Sequence, residues 1–321
     1  MKNWYQGKEI ILIGGTGSLS KALLQLLFEK YSPKGVRIYS RDEYKQWELK
    51  KDLQNKGYDL TKIAFLLGEI RDFRRLKRAM QRVDIAICTA AQKHVLSCEE
   101  NPIEAIKTNI HGSENVIDAA LDLNIEKVMF ISSDKAVAPS TNYGATKLVG
   151  EKLFINANVY SAGRFPFFSC CRYGNVLGSR GSIVPLFRKQ AETGVISITH
   201  EMMSRFWVTL ETIADFILQR IMEMNGGEIF IPKMKIASVL SLAKSIAPNA
   251  KIKIIGTSPG EKIFEEIITE EESKIIQEFP DYYVIKKGYK NEKVFSYTSE
   301  IKEGSDLYSE EELIEILKKV K

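Results

Sequence analysis

Tyr143 and Lys147, four residues apart in Tyr143-Gly144-Ala145-Thr146-Lys147, are a pair whose types and spacing could do chemistry. On a helix, positions i and i+4 share one face. A phenol with a pKa near ~10 is a poor base at neutral pH. A neighbouring ammonium and a second positive charge would favour the phenolate. Lowering that pKa by ~3 units takes ~4 kcal/mol, which a partly desolvated cleft beside two cations can supply. Upstream, Ser132-Ser133-Asp134-Lys135 sets a hydroxyl, a carboxyl and an amine side by side.

A dinucleotide with an oxidised nicotinamide ring would provide the second charge. Near the N-terminus Gly14-Gly15-Thr16-Gly17-Ser18-Leu19-Ser20 follows a short β-rich run and precedes a helical pattern. A glycine-rich turn there lets backbone N–H groups and the helix dipole meet a pyrophosphate. Ser20 stands where the usual third glycine would be, small enough to keep the helix close to the strand. The second strand ends in Tyr39-Ser40-Arg41-Asp42. An arginine suits a ribose 2′-phosphate, so NADP is expected ahead of NAD, with Asp42 as the ribose ligand in the alternative. Glu69 and Ile70 end the third strand, where an adenine would lie, and Ala90 and Ala91 end the fourth, where small side chains let a cofactor approach.

Alternating elements must position these groups. Strands are predicted at Glu9–Ile13, Val36–Tyr39, Lys62–Leu67, Val83–Cys88, Lys127–Ser132 and Phe167–Tyr173. Between them, helical spacing covers Ser18–Lys30, Phe73–Met80, Pro102–Leu123 (with Asn101 as its cap) and Tyr143–Asn158. Such alternation predicts an α/β fold, a Rossmann-type doubly wound parallel sheet with ligands at the carboxyl ends of its strands. After Gly174 the pattern loosens. Helices are expected at Ile183–Ala191, Glu211–Met224, Ala237–Ile246 and Ser309–Lys319, and strands at Ile196–Thr199, Glu228–Ile231 and Lys251–Ile255. The expected division is a dinucleotide-binding domain over 1–173, to which 205–225 returns, and a smaller α/β substrate-binding lobe over 174–321.

The 321 residues, 44% hydrophobic and 27% charged, fit an ordinary globular chain and exclude collagen-like, coiled-coil and disordered classes. No apolar run approaches the ~20 residues of a membrane span, and no secretory signal is evident. Four cysteines without a regular framework read as reduced thiols in a cytoplasmic protein. Three histidines without ligand spacing leave no metal site expected. A net charge of +5 suits an anionic ligand. The basic run Arg71, Arg74, Arg75, Lys77, Arg78, Arg82 lacks an aromatic stacking set, so it reads as a solvated helix face rather than a nucleic-acid surface.

Taken together, the sequence resembles the extended short-chain dehydrogenase/reductases, and within them the inverting UDP-N-acetylglucosamine 4,6-dehydratases that start pseudaminic acid synthesis. The stretches that carry this are GGTGS at 14–18, YSRDE at 39–43, KHV at 93–95, KTNI at 107–110, SDKA at 133–136, YGATK at 143–147, RYGNVLGSRGS at 172–182, RFWVTLE at 205–211, GGEIF at 226–230 and PGEK at 259–262. The resemblance implies a redox-neutral lyase. Tyr143, assisted by Lys147, takes the proton of the sugar C4 hydroxyl while hydride leaves C4 for NADP. The 4-ketone acidifies C5, water is lost across C5 and C6, hydride returns to C6, and C5 is reprotonated from the other face. It also implies Asp134 as acid toward the C6 hydroxyl and Lys135 as base at C5. That base needs a depressed pKa. Retaining dehydratases often carry Asp-Glu at this point, so Asp134-Lys135 argues for the inverting class and against a simple epimerase.

By the same resemblance Ser133 bonds the C4 oxygen, Lys93 serves the cofactor and sugar pocket, and Asn175, Arg180 and Arg205 meet the nucleotide diphosphate. Ser258 and Glu261 belong to the element at the uridine end, where the family has arginine in place of Ser258 and histidine in place of Phe264. A homo-oligomer is implied, with Pro102–Leu123 and Tyr143–Asn158 at the dimer surface. A related nucleotide-sugar dehydratase or epimerase and a catalytically silent dinucleotide-binding regulator are the alternatives; loss of the Tyr/Lys pair would mark the second.

Overall fold

A computed structural model describes residues 4–179 and 181–320. Its first half is built as β1 (Glu9–Ile13), α1 (Ser18–Leu26), β2 (Gly35–Ser40), α2 (Glu43–Asn55), β3 (Ile63–Leu67), α3 (Phe73–Met80), β4 (Ile85–Cys88), α4 (Val95–Glu100), α5 (Pro102–Ile106), α6 (Gly112–Leu123), β5 (Lys127–Ile131), α7 (Asn142–Ser161) and β6 (Phe167–Cys171). There follow β7 (Asn175–Leu177), α8 (Ile183–Ala191), β8 (Val195–Ile198), β9 (Ser204–Thr209), α9 (Leu210–Glu223), β10 (Ile229–Pro232), β11 (Lys235–Ser238), α10 (Val239–Ile246), β12 (Lys251–Ile254) and β13 (Glu266–Ile268). The chain ends with α11 (Glu270–Ser273), β14 (Ile276–Glu278), β15 (Tyr282–Ile285), β16 (Tyr297–Thr298) and α12 (Glu310–Lys319).

The main sheet runs β14-β15-β10-β6-β5-β4-β1-β2-β3. From β3 to β10 all neighbours pair parallel, and β15 joins β10 antiparallel. The fold is the α/β, doubly wound parallel sheet expected. Central strands β4 and β5 are buried at every position, as strands covered on both faces must be, and are apolar throughout apart from Lys127 at the start of β5, whose ammonium bonds the Ile221 and Met222 carbonyls. Strand order reverses between β1 and β4, which opens a crevice at their carboxyl ends.

Helix starts carry local causes. Asp42, Asp72 and Thr141 each accept a backbone N–H from the first turn of α2, α3 and α7. Ser309 and Glu312 form a reciprocal capping box on α12. Asn101 occupies the cap position of α5 without capping it, because its amide donates to the Ser97 carbonyl instead. The expected single helix over 102–123 is continuous but contains a π-turn at Lys107–His111. Helix α2 gives no strong periodic signal, since its buried face is only Gln46, Leu49 and Leu53 in a charged sequence. The expected helix from Ala237 starts two residues later. Residues 235–238 pair antiparallel with β9, and the Ser238 side chain caps the helix.

Two buried clusters organise the interior. The larger surrounds the main sheet, and the smaller gathers Leu177, Val184, Phe187, Ile196, Trp207, Leu242, Leu313 and Leu317 from α8, β7 to β9, α10 and α12. Helix α9 lies on α1, where Lys30 and Tyr31 both bond Asp215. Strands β10, β14 and β15 extend the main sheet, so the chain re-enters it several times beyond residue 173. Among the described residues no helix is long and apolar enough to cross a membrane.

Candidate active site

A cleft of about 1000 Å³ lies at the carboxyl ends of β1 to β5 and reaches across to β7. One end is the glycine turn. Gly14 has φ +89°, a conformation that favours glycine, and a Cβ there would stand 2.7 Å from the Ala90 backbone nitrogen. Gly17 caps α1 without lending a side chain to its first turn. Ser20 does more than stay small: its hydroxyl bonds the Gly14 carbonyl (3.1 Å) and the Thr89 hydroxyl (2.8 Å), tying the turn to β4. This cradle fits a pyrophosphate. Gly14, Thr16, Gly17, Ser18, Leu19, Ser40, Arg41, Glu69, Ile70, Ala90, Ala91 and Lys93 all line the cleft.

At the β2 end, Arg41 is largely exposed and pairs with Glu69 at 3.5 Å. Asp42 is occupied in capping α2 and in a 2.7 Å pair with Lys45. Lys45 therefore adds a second cation beside Arg41, and both line the cleft. Sequence reasoning missed Lys45, whose signal was its place one turn into α2. It also misassigned Arg71. Rather than a solvated member of a basic face, Arg71 lines the cleft, pairs with Glu69 and Glu104, and bonds the Thr108 hydroxyl. The sequence places it on the α3 pattern, but it precedes the Asp72 cap and so leaves that face.

At the other end, helix α7 brings Tyr143 and Lys147 to one wall of the cleft, opposite the β5 turn that carries Ser133 and Lys135. Gly144 makes this approach possible, because a Cβ there would fall 2.2 Å from the Lys135 carbonyl. Lys147 donates to the Ile131 carbonyl and stands 3.9 Å over the Phe130 ring. Burial pulls its ammonium down to about 8, against Cys88 and Glu151. Tyr143 departs from expectation: burial pushes its phenol up to about 12, with Lys135 and the Ser133 hydroxyl pulling the other way. The expected depression thus needs charge that the protein alone does not supply.

The Asp134-Lys135 pair is also arranged otherwise than expected. Asp134 is fully buried and does not line the cleft. Its Oδ1 accepts from the Ser133 hydroxyl (2.8 Å), the Lys135 backbone N–H (2.9 Å) and Lys135 Nζ (3.0 Å), while Oδ2 has no hydrogen-bond partner among the described residues. Lys135 faces the cleft, with Nζ 3.4 Å from both Asn175 Oδ1 and Glu265 Oε1. Burial pulls this ammonium down, but Asp134 and Glu265 outweigh it and hold Lys135 above the ordinary lysine value. These neighbours therefore act against the depressed pKa expected of a base.

Of the expected substrate residues, Lys93 and Asn175 line the cleft. Arg180 lies outside the described residues. Arg205 does not line it: its guanidinium donates to the carbonyls of Ser204, Lys262 and Ile263. Ser258 and Glu261 also lie away from the cleft, in a loop where the Ser258 N–H bonds Glu261 and Gly260 accepts from Ser140. Among the described residues no His/Cys/Asp/Glu group is arranged to hold a metal.

Comparison with known proteins agrees with this geometry. The model of a family described as polysaccharide biosynthesis protein matches residues 10–287. The chain is 41% identical, over 98% of both chains, to "UDP-N-acetylglucosamine 4,6-dehydratase (inverting)" of Campylobacter jejuni subsp. jejuni. It is 37% identical, over 87% of this chain and 82% of the other, to "UDP-glucose 4-epimerase" of Rickettsia conorii. The X-ray structure of Pen from Bacillus thuringiensis superposes with a TM-score of 0.90 at 38% identity, over 98% of both chains. The chain therefore belongs to the polysaccharide biosynthesis branch of the extended short-chain dehydrogenase/reductases, in the family of the inverting UDP-N-acetylglucosamine 4,6-dehydratases.

Proposed function

We propose that the protein is a redox-neutral lyase that converts UDP-N-acetylglucosamine to UDP-2-acetamido-2,6-dideoxy-4-hexulose with inversion at C5. The observation that carries this is the joint presence, around one cleft, of a pyrophosphate cradle, the Tyr143/Lys147 pair and Lys135. An epimerase needs no amine beside the tyrosine for elimination, and the Asp134-Lys135 pair favours the dehydratase.

NADP is the cofactor of this reading; when bound it would accept hydride from C4 and return it to C6. Arg41 and Lys45 would hold the 2′-phosphate, and the turn from Gly14 to Leu19 the pyrophosphate, with Glu69 and Ile70 beside the adenine. Asp42 is engaged as a helix cap, which weakens the NAD alternative. Tyr143 takes the C4 hydroxyl proton once positive charge beside it offsets its burial. Ser133 donates to the C4 oxygen, and Lys147 stabilises the phenolate.

Elimination falls to Lys135 and Asp134. A bound sugar nucleotide shields their ion pair from water, and in apolar surroundings a neutral amine and acid can replace a charged pair. The proton then moves across the 3.0 Å contact from Lys135 Nζ to Asp134. Lys135 is left as base for C5, and Asp134 becomes the source, through its partners, of the proton for the departing C6 hydroxyl. Lys93 and Asn175 face the sugar and diphosphate. Assembly through α6 and α7 belongs to this reading, since Ile103, Val149, Val159 and Tyr160 are exposed around them. So does a cytoplasmic first step of pseudaminic acid synthesis, consistent with four unpaired cysteines.

The test is incubation with UDP-N-acetylglucosamine and NADP in heavy water, read by mass spectrometry and proton NMR. Loss of one water, deuterium at C5 and the inverted configuration are expected. A C4 epimer of unchanged mass would replace this reading with the epimerase.

A further inference from the structure

Glu265 lies outside every motif that pointed to the site, yet it is 3% exposed and reaches Lys135 from the far side of the sequence. Its backbone is clamped by Ser299, whose hydroxyl accepts from the Glu265 N–H at 2.8 Å and whose own N–H donates to the Glu265 carbonyl at 2.7 Å. Its carboxylate has Oε1 3.4 Å from Lys135 Nζ and 4.0 Å from Arg205 Nε, and Oε2 3.7 Å from Lys262 Nζ, with no hydrogen-bond partner on Oε2 among the described residues. Arg205 and Lys262 are themselves held: Arg205 by the carbonyls of Ser204, Lys262 and Ile263, Lys262 by the Val137 carbonyl at 2.9 Å. Surrounding cations offset the cost of burying a carboxylate.

We propose that Glu265 is a positioning residue for Lys135: with Asp134 it brackets the ammonium, fixing where it stands at the sugar end of the cleft and how readily it yields its proton. The assignment rests on the activity proposed above. It also gives Arg205 a purpose that contact with a diphosphate does not, because its guanidinium holds the Lys262 and Ile263 carbonyls, just before Glu265. The charged and titratable groups facing Lys135 are Asp134 from the β5 turn, Tyr143 from α7, Arg205 from β9 and Glu265, with the uncharged Asn175 from β7. Two carboxylates thus oppose Arg205 around one amine, and removing Glu265 leaves Asp134 as its sole carboxylate partner among the described residues.

The experiment is Glu265→Gln, which keeps the shape and removes the charge, with Glu265→Asp as the second variant. Reductive methylation of the full-length protein at a series of pH values, read on the Lys135 peptide by mass spectrometry, gives the midpoint at which that amine becomes reactive without needing turnover. Glu265→Gln should lower the midpoint by about one pH unit, and Glu265→Asp by less. The acid limb of kcat for dehydration should move down by the same amount, with KM for UDP-N-acetylglucosamine within about threefold, since Glu265 acts through Lys135 and does not itself line the cleft. An unmoved Lys135 midpoint in either folded variant overturns the proposal, even if activity falls. A shifted midpoint in a protein that dehydrates no UDP-sugar upholds the pairing and overturns the activity instead.

Discussion

At the scale of the residue, Tyr143 and Lys147 titrate in opposite senses from one physical cause. Burial disfavours the charged form of each, so the phenol rises to about 12 and the ammonium falls to about 8. At neutral pH Lys147 still keeps most of its charge, so only the phenol opposes the proposed chemistry, and a cationic ring over the cleft would act on Tyr143 directly. Tyr143→Phe should lower dehydration by roughly 10³-fold, in the range of general acid–base catalysis, while NADP affinity stays within a few-fold. Normal turnover by that variant would remove the phenol from the mechanism. In the proposed reading a 2′-phosphate meets Arg41 and Lys45, and Arg41 is the one to test. Arg41→Ala should raise Kd for NADP about tenfold and leave NAD nearly unchanged, because a 2′-phosphate contact is charge-assisted. Fluorescence titration with both dinucleotides decides it; equal losses would make Arg41 indifferent to the phosphate.

At the scale of the element, the site depends on how closely α7 approaches the turn after β5. That approach is set by Gly144, where a Cβ would meet the Lys135 carbonyl at 2.2 Å and Pro139 at 3.0 Å. Backbone cannot yield as a flexible side chain does, so Gly144→Ala should push α7 outward. A displacement of about 1 Å costs on the order of 10²-fold in rate when reacting groups are misplaced. The expected result is that loss in kcat with circular dichroism unchanged; wild-type kcat would show that the helix can shift without harm. Further along α7, Glu151 is fully buried and accepts two bonds from Arg172, the residue just past β6, at 3.0 and 2.7 Å, and Arg172 in turn reaches Glu272 of α11. This network pins the same helix one turn beyond Lys147.

At the scale of the whole molecule, four cysteines are buried and unpaired. Burial pushes Cys88 and Cys98 up to about 11, and Cys170 and Cys171 further in the same direction. An unfolded thiol releases its proton near pH ~8.5, whereas the folded protein keeps these protons. The folded state then binds more protons, so stability present below that pH is lost as pH rises through the folded values. Lys147, and Lys127 whose ammonium burial also pulls down, act oppositely below the ordinary lysine value, but the thiols outnumber them. Under reducing conditions the urea midpoint should be lower at pH 10.5 than at pH 8. An equal or higher midpoint would mean that the thiols are not shielded as the structure has them.

The sequence by itself determined the sheet, the glycine turn and the Tyr143/Lys147 wall, because each is local: apolar runs with helical returns, glycines between a strand and a helix, and a four-residue spacing. Tertiary structure decided what each side chain faces. It withdrew Asp134, Arg205, Ser258 and Glu261 from the cleft and brought in Lys45, Arg71 and, through Lys135, Glu265. The ion pair between Lys135 and Glu265 joins residues far apart along the chain, and no pattern of spacing announces it. Whether a lysine is a free amine or an ammonium held by two carboxylates depends on desolvation and on neighbours arriving from separate elements. Both exist only once the chain has folded.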